Sequence, residues 1–276
     1  MAKKVRSDSG GIVIPGPDEF NEPPDDFLAY TTIIFGEKGI GKTSLMAQFP
    51  NCVVAQMEPR RKTLRIRQVL IETWEEVLDF TAKVKKDSTV DMVGFDTFDR
   101  LYELASAYQC NNQGIKDPNE ANDFGATWRA ITDNVSELLS DLAKAGKNFV
   151  FSSHAKWKEV ELRNGKKREI LVPTMTDSAW KIVKAICDFA FYYGYYDNQR
   201  ALYLRGHQQL WSACGSSEHF LDPEGRPVKT ILLGENPEEA YSTLLRSFNN
   251  EIEGVEDEDL ETLTTIKRPW KKKKKD

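Results

Sequence analysis

Eight consecutive residues carry the clearest chemistry in this chain. Gly36-Glu37-Lys38-Gly39-Ile40-Gly41-Lys42-Thr43 spell G-x-x-x-x-G-K-[ST], with Ser44 next. Glycines let the backbone curl until successive N–H groups point at phosphate oxygens, and a helix opening there adds its positive end. Lys42 would then reach the β- and γ-phosphates of a nucleotide, and the Thr43 hydroxyl would ligate Mg²⁺. A chance glycine-rich turn is the alternative, and the flanks argue against it. Tyr30-Thr31-Thr32-Ile33-Ile34-Phe35 is a β-branched and aromatic run, as a buried strand requires; Ser44 to Phe49 reads as a helix closed by Pro50 and Asn51.

Three further residues are candidates for the same chemistry. Asp96 ends the apolar run Met92-Val93-Gly94-Phe95 and could hold Mg²⁺ through water; a turn aspartate would look the same. Glu58 ends the run Cys52 to Met57, where it could polarise an attacking water or simply sit on a strand edge. His154 follows Asn148-Phe149-Val150-Phe151-Ser152-Ser153, where it could contact the last phosphate or serve as a plain structural histidine. Arg205, after Ala201-Leu202-Tyr203-Leu204, could reach a neighbouring subunit's phosphates, or be solvated. No [NT]-K-x-D motif or D-x-x-G switch is present for guanine, so ATP is the expected nucleotide.

The elements that must position these residues alternate strand with helix between about residues 28 and 249. Thr73 and Glu76 form a capping box that opens a helix running to about Lys85. Leu101 to Tyr108 and Trp128 to Ala145 read as helices between apolar strands, the pattern of a parallel sheet covered on both faces. From Trp157 the period changes to two. Lys158 to Arg163 and Lys167 to Val172 flank Asn164-Gly165, which predicts a hairpin with a type I′ turn. A helix from Ser178 to Cys187, paired strands around Asp197-Asn198-Gln199, a strand at Thr230 to Leu233 and a helix from Pro237 to Phe248 complete the core.

The chain has 276 residues, 40% hydrophobic and 29% charged, with a net charge of −5, an ordinary composition for one core. It is not a polycation, so any nucleic-acid contact must come from a local patch. Cys52, Cys110, Cys187 and Cys214 lack CxxC spacing and are expected as free thiols. No apolar run reaches the length of a membrane span and the first residues lack a signal-peptide pattern, so a cytoplasmic location is expected. Residues 1–27 read as an irregular arm rich in Gly, Pro and acid, and 250–276 as a disordered tail, acidic and then basic. In that tail Trp270 stands among Lys267, Arg268 and Lys271 to Lys275, a segment that could bind a polyanion or only aid solubility.

Together the loop, Gln56-Met57-Glu58, Gly94-Phe95-Asp96-Thr97 and Phe151-Ser152-Ser153-His154 resemble the RecA-like P-loop ATPases, in particular the short phage-encoded recombination and single-strand-annealing group. The likeness spans roughly residues 30–248 in order and spacing. It implies an α/β fold with a mainly parallel central sheet flanked by helices, here with β-hairpin additions. It also implies ATP with Mg²⁺, Glu58 as catalytic base, homo-oligomers with sites at subunit boundaries, and single-stranded DNA as partner in the host cytoplasm. A single-strand-binding or other recombination or replication protein is a further expected partner, and a membrane is not. The chain departs from the pattern in offering His154 where RecA has a polar Gln, and in lacking RecA's carboxy-terminal domain and trans-acting lysines. ATPases of the AAA+ type place a Glu after the Mg²⁺-holding Asp; this chain has Thr97.

RecA-like proteins carry DNA-binding loops after the strand whose end holds that polar residue, the place of His154 in this chain. Here that segment supplies Lys156, Trp157, Lys158, Arg163, Lys166, Lys167 and Arg168, which suit a phosphate-tracking groove or equally a solvated hairpin. Three functions fit these residues: a DNA-stimulated ATPase, an ATP-gated adaptor that does not hydrolyse, and a P-loop kinase.

Overall fold

The structure is a computed structural model that describes residues 16–20, 22–58, 64–161, 163–207 and 209–255. In chain order the strands and helices are β1 (Thr32–Gly36), α1 (Lys42–Met46), β2 (Cys52–Gln56), β3 (Gln68–Leu70), α2 (Trp74–Val84), β4 (Met92–Asp96), α3 (Phe98–Gln113), α4 (Ala126–Lys144) and β5 (Asn148–Glu161). They continue with β6 (Lys167–Pro173), α5 (Asp177–Ile186), β7 (Phe189–Tyr196), β8 (Gln199–Tyr203), β9 (Ala213–Cys214), β10 (Thr230–Leu232) and α6 (Pro237–Phe248).

One sheet organises them, in the order β10-β8-β7-β1-β5-β4-β2-β3. From β7 to β3 every neighbouring pair is parallel, and the additions β8, β10, β6 and β9 are antiparallel. The expected α/β architecture therefore forms, a mainly parallel sheet with helices on both faces and a hairpin addition. Alternation along the strands divides the core. Ile33, Val53, Phe95 and Phe151 face the layer of α2 to α5, whereas Ile34, Val54, Met92 and Val150 face α1 and α6. Strands with both faces covered read as unbroken apolar runs, which is why their periodicity in the sequence is weak.

The long strand β5 does two jobs. Its first half lies parallel between β1 and β4, and its second half leaves the sheet to pair antiparallel with β6. The expected hairpin forms, but its turn is not type I′. The last paired residues are Glu161 and Lys167, and Gly165 takes φ 75° while Asn164 stays out of the left-handed region. A type I′ turn needs positive φ at both central residues. That geometry appears instead at Asp197-Asn198, φ 45° and 62°, between β7 and β8.

Phe27, at the end of the expected arm, is buried against Phe49, Phe189, Phe220 and Phe248. After α6 the chain returns to the sheet, where the Val255 N–H donates to the Thr230 carbonyl at 2.9 Å. The basic tail with Trp270, and the arm up to residue 15, lie outside the described residues. No helix among the described residues is long and apolar enough to cross a membrane. All four cysteines are free.

Candidate nucleotide site

At the carboxyl end of β1 the chain turns through the glycine loop into α1, and two glycines there take a conformation that side chains resist. Gly39 has φ 90° and Gly41 φ 122°. Gly36 is fixed for another reason: a Cβ on it would lie 2.1 Å from the Tyr193 carbonyl oxygen of β7. Tyr193 also supports the loop from below, its hydroxyl 3.3 Å from where a Gly41 Cβ would stand. Burial pushes the Tyr193 phenol up to about 12, so it stays a neutral wall. Nothing in the local sequence marks Tyr193, because its role depends on the pairing of β7 with β1.

The parallel register brings four strand ends to this loop. Lys42 is buried, and its ammonium donates to the carbonyls of Gly36 at 2.9 Å and Glu37 at 2.8 Å. The Thr43 hydroxyl donates to Asp96 Oδ2 at 2.6 Å. The other oxygen of Asp96, Oδ1, accepts from the Ser152 hydroxyl on β5. Ser152 is a site residue whose role the sequence reading does not see. Its signal is the alternation that puts residues 152 and 154 on one face of β5.

His154 stands between the two halves of the site. Its Nδ1 is 3.5 Å from Lys42 Nζ and its Nε2 is 2.8 Å from Glu58 Oε1. An ammonium can only donate, so Nδ1 is assigned as the acceptor and Nε2–H as the donor to Glu58. Glu58 thus enters the pocket through His154, even though β5 and β4 separate β2 from β1 in the sheet. The pocket lining joins Gly39, Gly41, Lys42, Thr43 and Ser44 with Gln56, Glu58, Asp96 and His154, and adds Leu64 and Gln68 near the sheet edge. Thr97, next in the chain after Asp96, is buried and has no carboxylate to offer.

The donor set fits the groups the motif implies. Thr43 Oγ1 and the Asp96 carboxylate are adjacent hard oxygen donors of the kind Mg²⁺ takes. Lys42 with the positive-φ glycine backbone suits a polyphosphate. A single cradle therefore holds a cation, a hard-metal corner and a carboxylate–imidazole pair.

Other expected residues fall elsewhere. Arg205 follows β8 on the far side of β7 from the loop, half-buried, with its Nε donating to the Val228 carbonyl at 3.3 Å. The hairpin residues do not form one basic and aromatic strip. Residues opposite each other across β5 and β6 share a face, which puts Lys156, Lys158 and Arg168 on one side. Trp157 and Lys167 lie on the other, with Glu159, Glu161 and Glu169. Lys167 pairs with Glu159 at 2.6 Å and Lys158 with Asp177 at 2.7 Å. Lys156 donates to the Thr174 and Met175 carbonyls, and Trp157 packs toward Phe35 and Tyr192. Arg163 and Lys166 are exposed near the tip. The single groove containing Trp157 and every hairpin cation is thus corrected, because the strand alternation separates them.

Fold and site define a class: a strand–loop–helix glycine cradle on a mainly parallel sheet, with an aspartate two strands away whose carboxylate meets the loop threonine. A protein-family model described as AAA domain matches residues 28–212, and the chain belongs to that family. It is a P-loop ATPase by membership, which implies nucleotide use and, in general, Mg²⁺. No curated protein matches the sequence. Among solved structures, a KaiC-like protein from the hyperthermophilic archaeon Pyrococcus horikoshii OT3 is similar, with a TM-score of 0.43 and 14% identity over 76% of this chain and 87% of that one.

Proposed function

We propose that this chain binds and hydrolyses ATP and couples it to work on single-stranded DNA, in recombination, annealing or replication of the phage type. The observation that carries the hydrolytic reading is the linked set Lys42–His154–Glu58 beside Thr43–Asp96 in one pocket, with the buried Ser152 hydroxyl bracing Asp96 from behind. Mg²⁺ held with Thr43 and Asp96 would neutralise charge on the phosphates. The loop amides and Lys42 bind and orient the β- and γ-phosphates. Glu58 orients a water and takes its proton as the water oxygen bonds to the γ-phosphorus; the bond from that phosphorus to the β–γ bridging oxygen breaks and ADP leaves. A carboxylate accepts several hydrogen bonds, so the one from His154 leaves Glu58 able to hold a water. His154 keeps Glu58 aimed and, through Nδ1, sits beside the lysine that meets the phosphates.

The DNA partner, the phage setting and assembly into homo-oligomers rest on the resemblance and on the lysines around the β5–β6 hairpin. An ATP-gated adaptor is the second reading, favoured by Thr97 standing where a carboxylate follows the aspartate in AAA+ enzymes. Steady-state ATP turnover, with and without oligo(dT), separates the two. Turnover that Lys42→Ala abolishes and oligo(dT) raises is expected; tight ATP binding with no turnover in either condition would leave the adaptor.

A further inference from the structure

A second concave surface lies along β5 past His154, between one face of the β5–β6 hairpin and helix α5. It is a groove of about 430 Å³. Lys156 and Lys158 line it from β5, Trp180, Lys181 and Lys184 from α5, and Trp211 from the segment after β8. Helix geometry explains the α5 side: Ala179, Ile182 and Val183 are buried, which turns Trp180 and Lys184, one turn apart, toward the groove. Trp211 is fixed by its backbone, whose N–H donates to the Leu171 carbonyl of β6 at 3.0 Å. The two indoles meet edge to face with centroids 4.2 Å apart, and Lys184 Nζ stands 5.7 Å from the Trp180 ring. Asp177 is the acid in the groove, and Lys158 pairs with it.

The geometry points to this groove as the single-stranded nucleic acid site of the chain. A chain of net charge −5 does not attract polyanions as a whole, so four lysines gathered on one concavity form a local patch where a phosphate backbone can settle. Two half-buried indoles beside those lysines give bases aromatic surface to meet, which a poly-glutamate chain, having no aromatic ring, cannot use. Position supports the assignment. Lys156 is two residues beyond His154 on the same strand, about 7 Å along it. Its ammonium donates to the Thr174 carbonyl, and the Thr174 N–H donates to the His154 carbonyl at 2.9 Å. The Thr174 hydroxyl in turn donates to Asp99, three residues after Asp96. A strand in the groove would therefore press on the backbone that carries the nucleotide-site histidine. The assignment rests on the reading that the chain acts on single-stranded DNA, and it replaces Trp157 with Trp180 and Trp211 as the stacking residues.

The test is equilibrium binding of fluorescent oligo(dT) to the full chain across a salt series, with DNA-free ATP turnover measured in parallel. The double variant Lys181→Glu, Lys184→Glu changes two exposed residues outside the nucleotide pocket. It should lose at least about tenfold in affinity and flatten the log–log salt slope by about 1.4, the value for two single-strand phosphate contacts. Its DNA-free turnover should equal that of the parent. Trp180→Phe should keep binding that Trp180→Leu loses, at matched thermal stability. Oligo(dT) binding that survives the double charge reversal would overturn the groove while leaving a DNA-acting ATPase. A parent that turns over ATP but binds no oligo(dT) would remove the DNA partner and the groove together. Displacement of oligo(dT) by poly-glutamate of equal charge would overturn the nucleic-acid assignment.

Discussion

In the proposed mechanism hydrolysis turns on Glu58 and His154. The 2.8 Å contact between His154 Nε2 and Glu58 Oε1 orders the carboxylate, and Lys42 on the other ring nitrogen fixes which nitrogen carries the hydrogen. Removing the charge from Glu58 while keeping its shape should leave ATP binding nearly intact and stop the proton leaving the water. Glu58→Gln is therefore expected to lower kcat by about 10²-fold or more, in the range of general-base loss, with little change in nucleotide affinity. Single-turnover kinetics beside a binding titration measure both, and unchanged kcat would remove Glu58 from the chemistry. The spacing of Lys42, Thr43 and Asp96 was legible in the sequence because each belongs to a local motif. Ser152 and Tyr193 were not legible, since what defines them is contact with Asp96 and the glycine loop across the sheet.

At the scale of elements, the loop depends on the packing of β1 against β7 as much as on its own glycines. Gly36 has no room for a methyl group beside the Tyr193 carbonyl, so Gly36→Ala must push the strands apart. A cost of about 1–3 kcal/mol in stability, as for other overpacked sites, is expected together with weakened nucleotide binding. Urea unfolding and an ATP titration of the variant would show this; a variant with the parent's midpoint and affinity would contradict it. Local rules served well where they were local. The capping box of Thr73 and Glu76 is present at α2, and α6 begins at Pro237 after the Asn236 cap. They served poorly where tertiary pairing decides. The short strands β3 and β9 carry too few residues for a period, and the Asn164-Gly165 pair closes a longer loop than its dipeptide suggests. The Trp180–Trp211 contact joins residues far apart in sequence, so no spacing announces it.

Across the whole molecule, charge tunes stability with pH. Thr89 hydroxyl bonding holds Asp87 below the usual carboxylate range, and Thr127 does the same for Asp123. Lys85 lowers Asp141 and Lys158 lowers Asp177 by hydrogen bonding and charge. A carboxyl whose folded pKa is depressed takes up more protons when unfolded. Its stabilisation is therefore complete above the unfolded value of about 4 and is lost as pH falls through the lower folded value. Urea midpoints should drop as pH is lowered from about 5 toward 2, and Asp123→Asn should flatten part of that drop. Added salt should weaken the shares of Asp141 and Asp177 more than that of Asp123, whose first partner is a neutral hydroxyl. A midpoint that rises on acidification would reverse the assigned signs.

Nucleotide docking in the glycine loop underlies the functional expectations, and an equilibrium titration of the full chain with Mg·ATP tests it most directly. Saturable one-site binding that weakens when Mg²⁺ is chelated and is abolished by Lys42→Ala is the predicted result. Binding indifferent to both changes, or no binding by the parent chain, would contradict it.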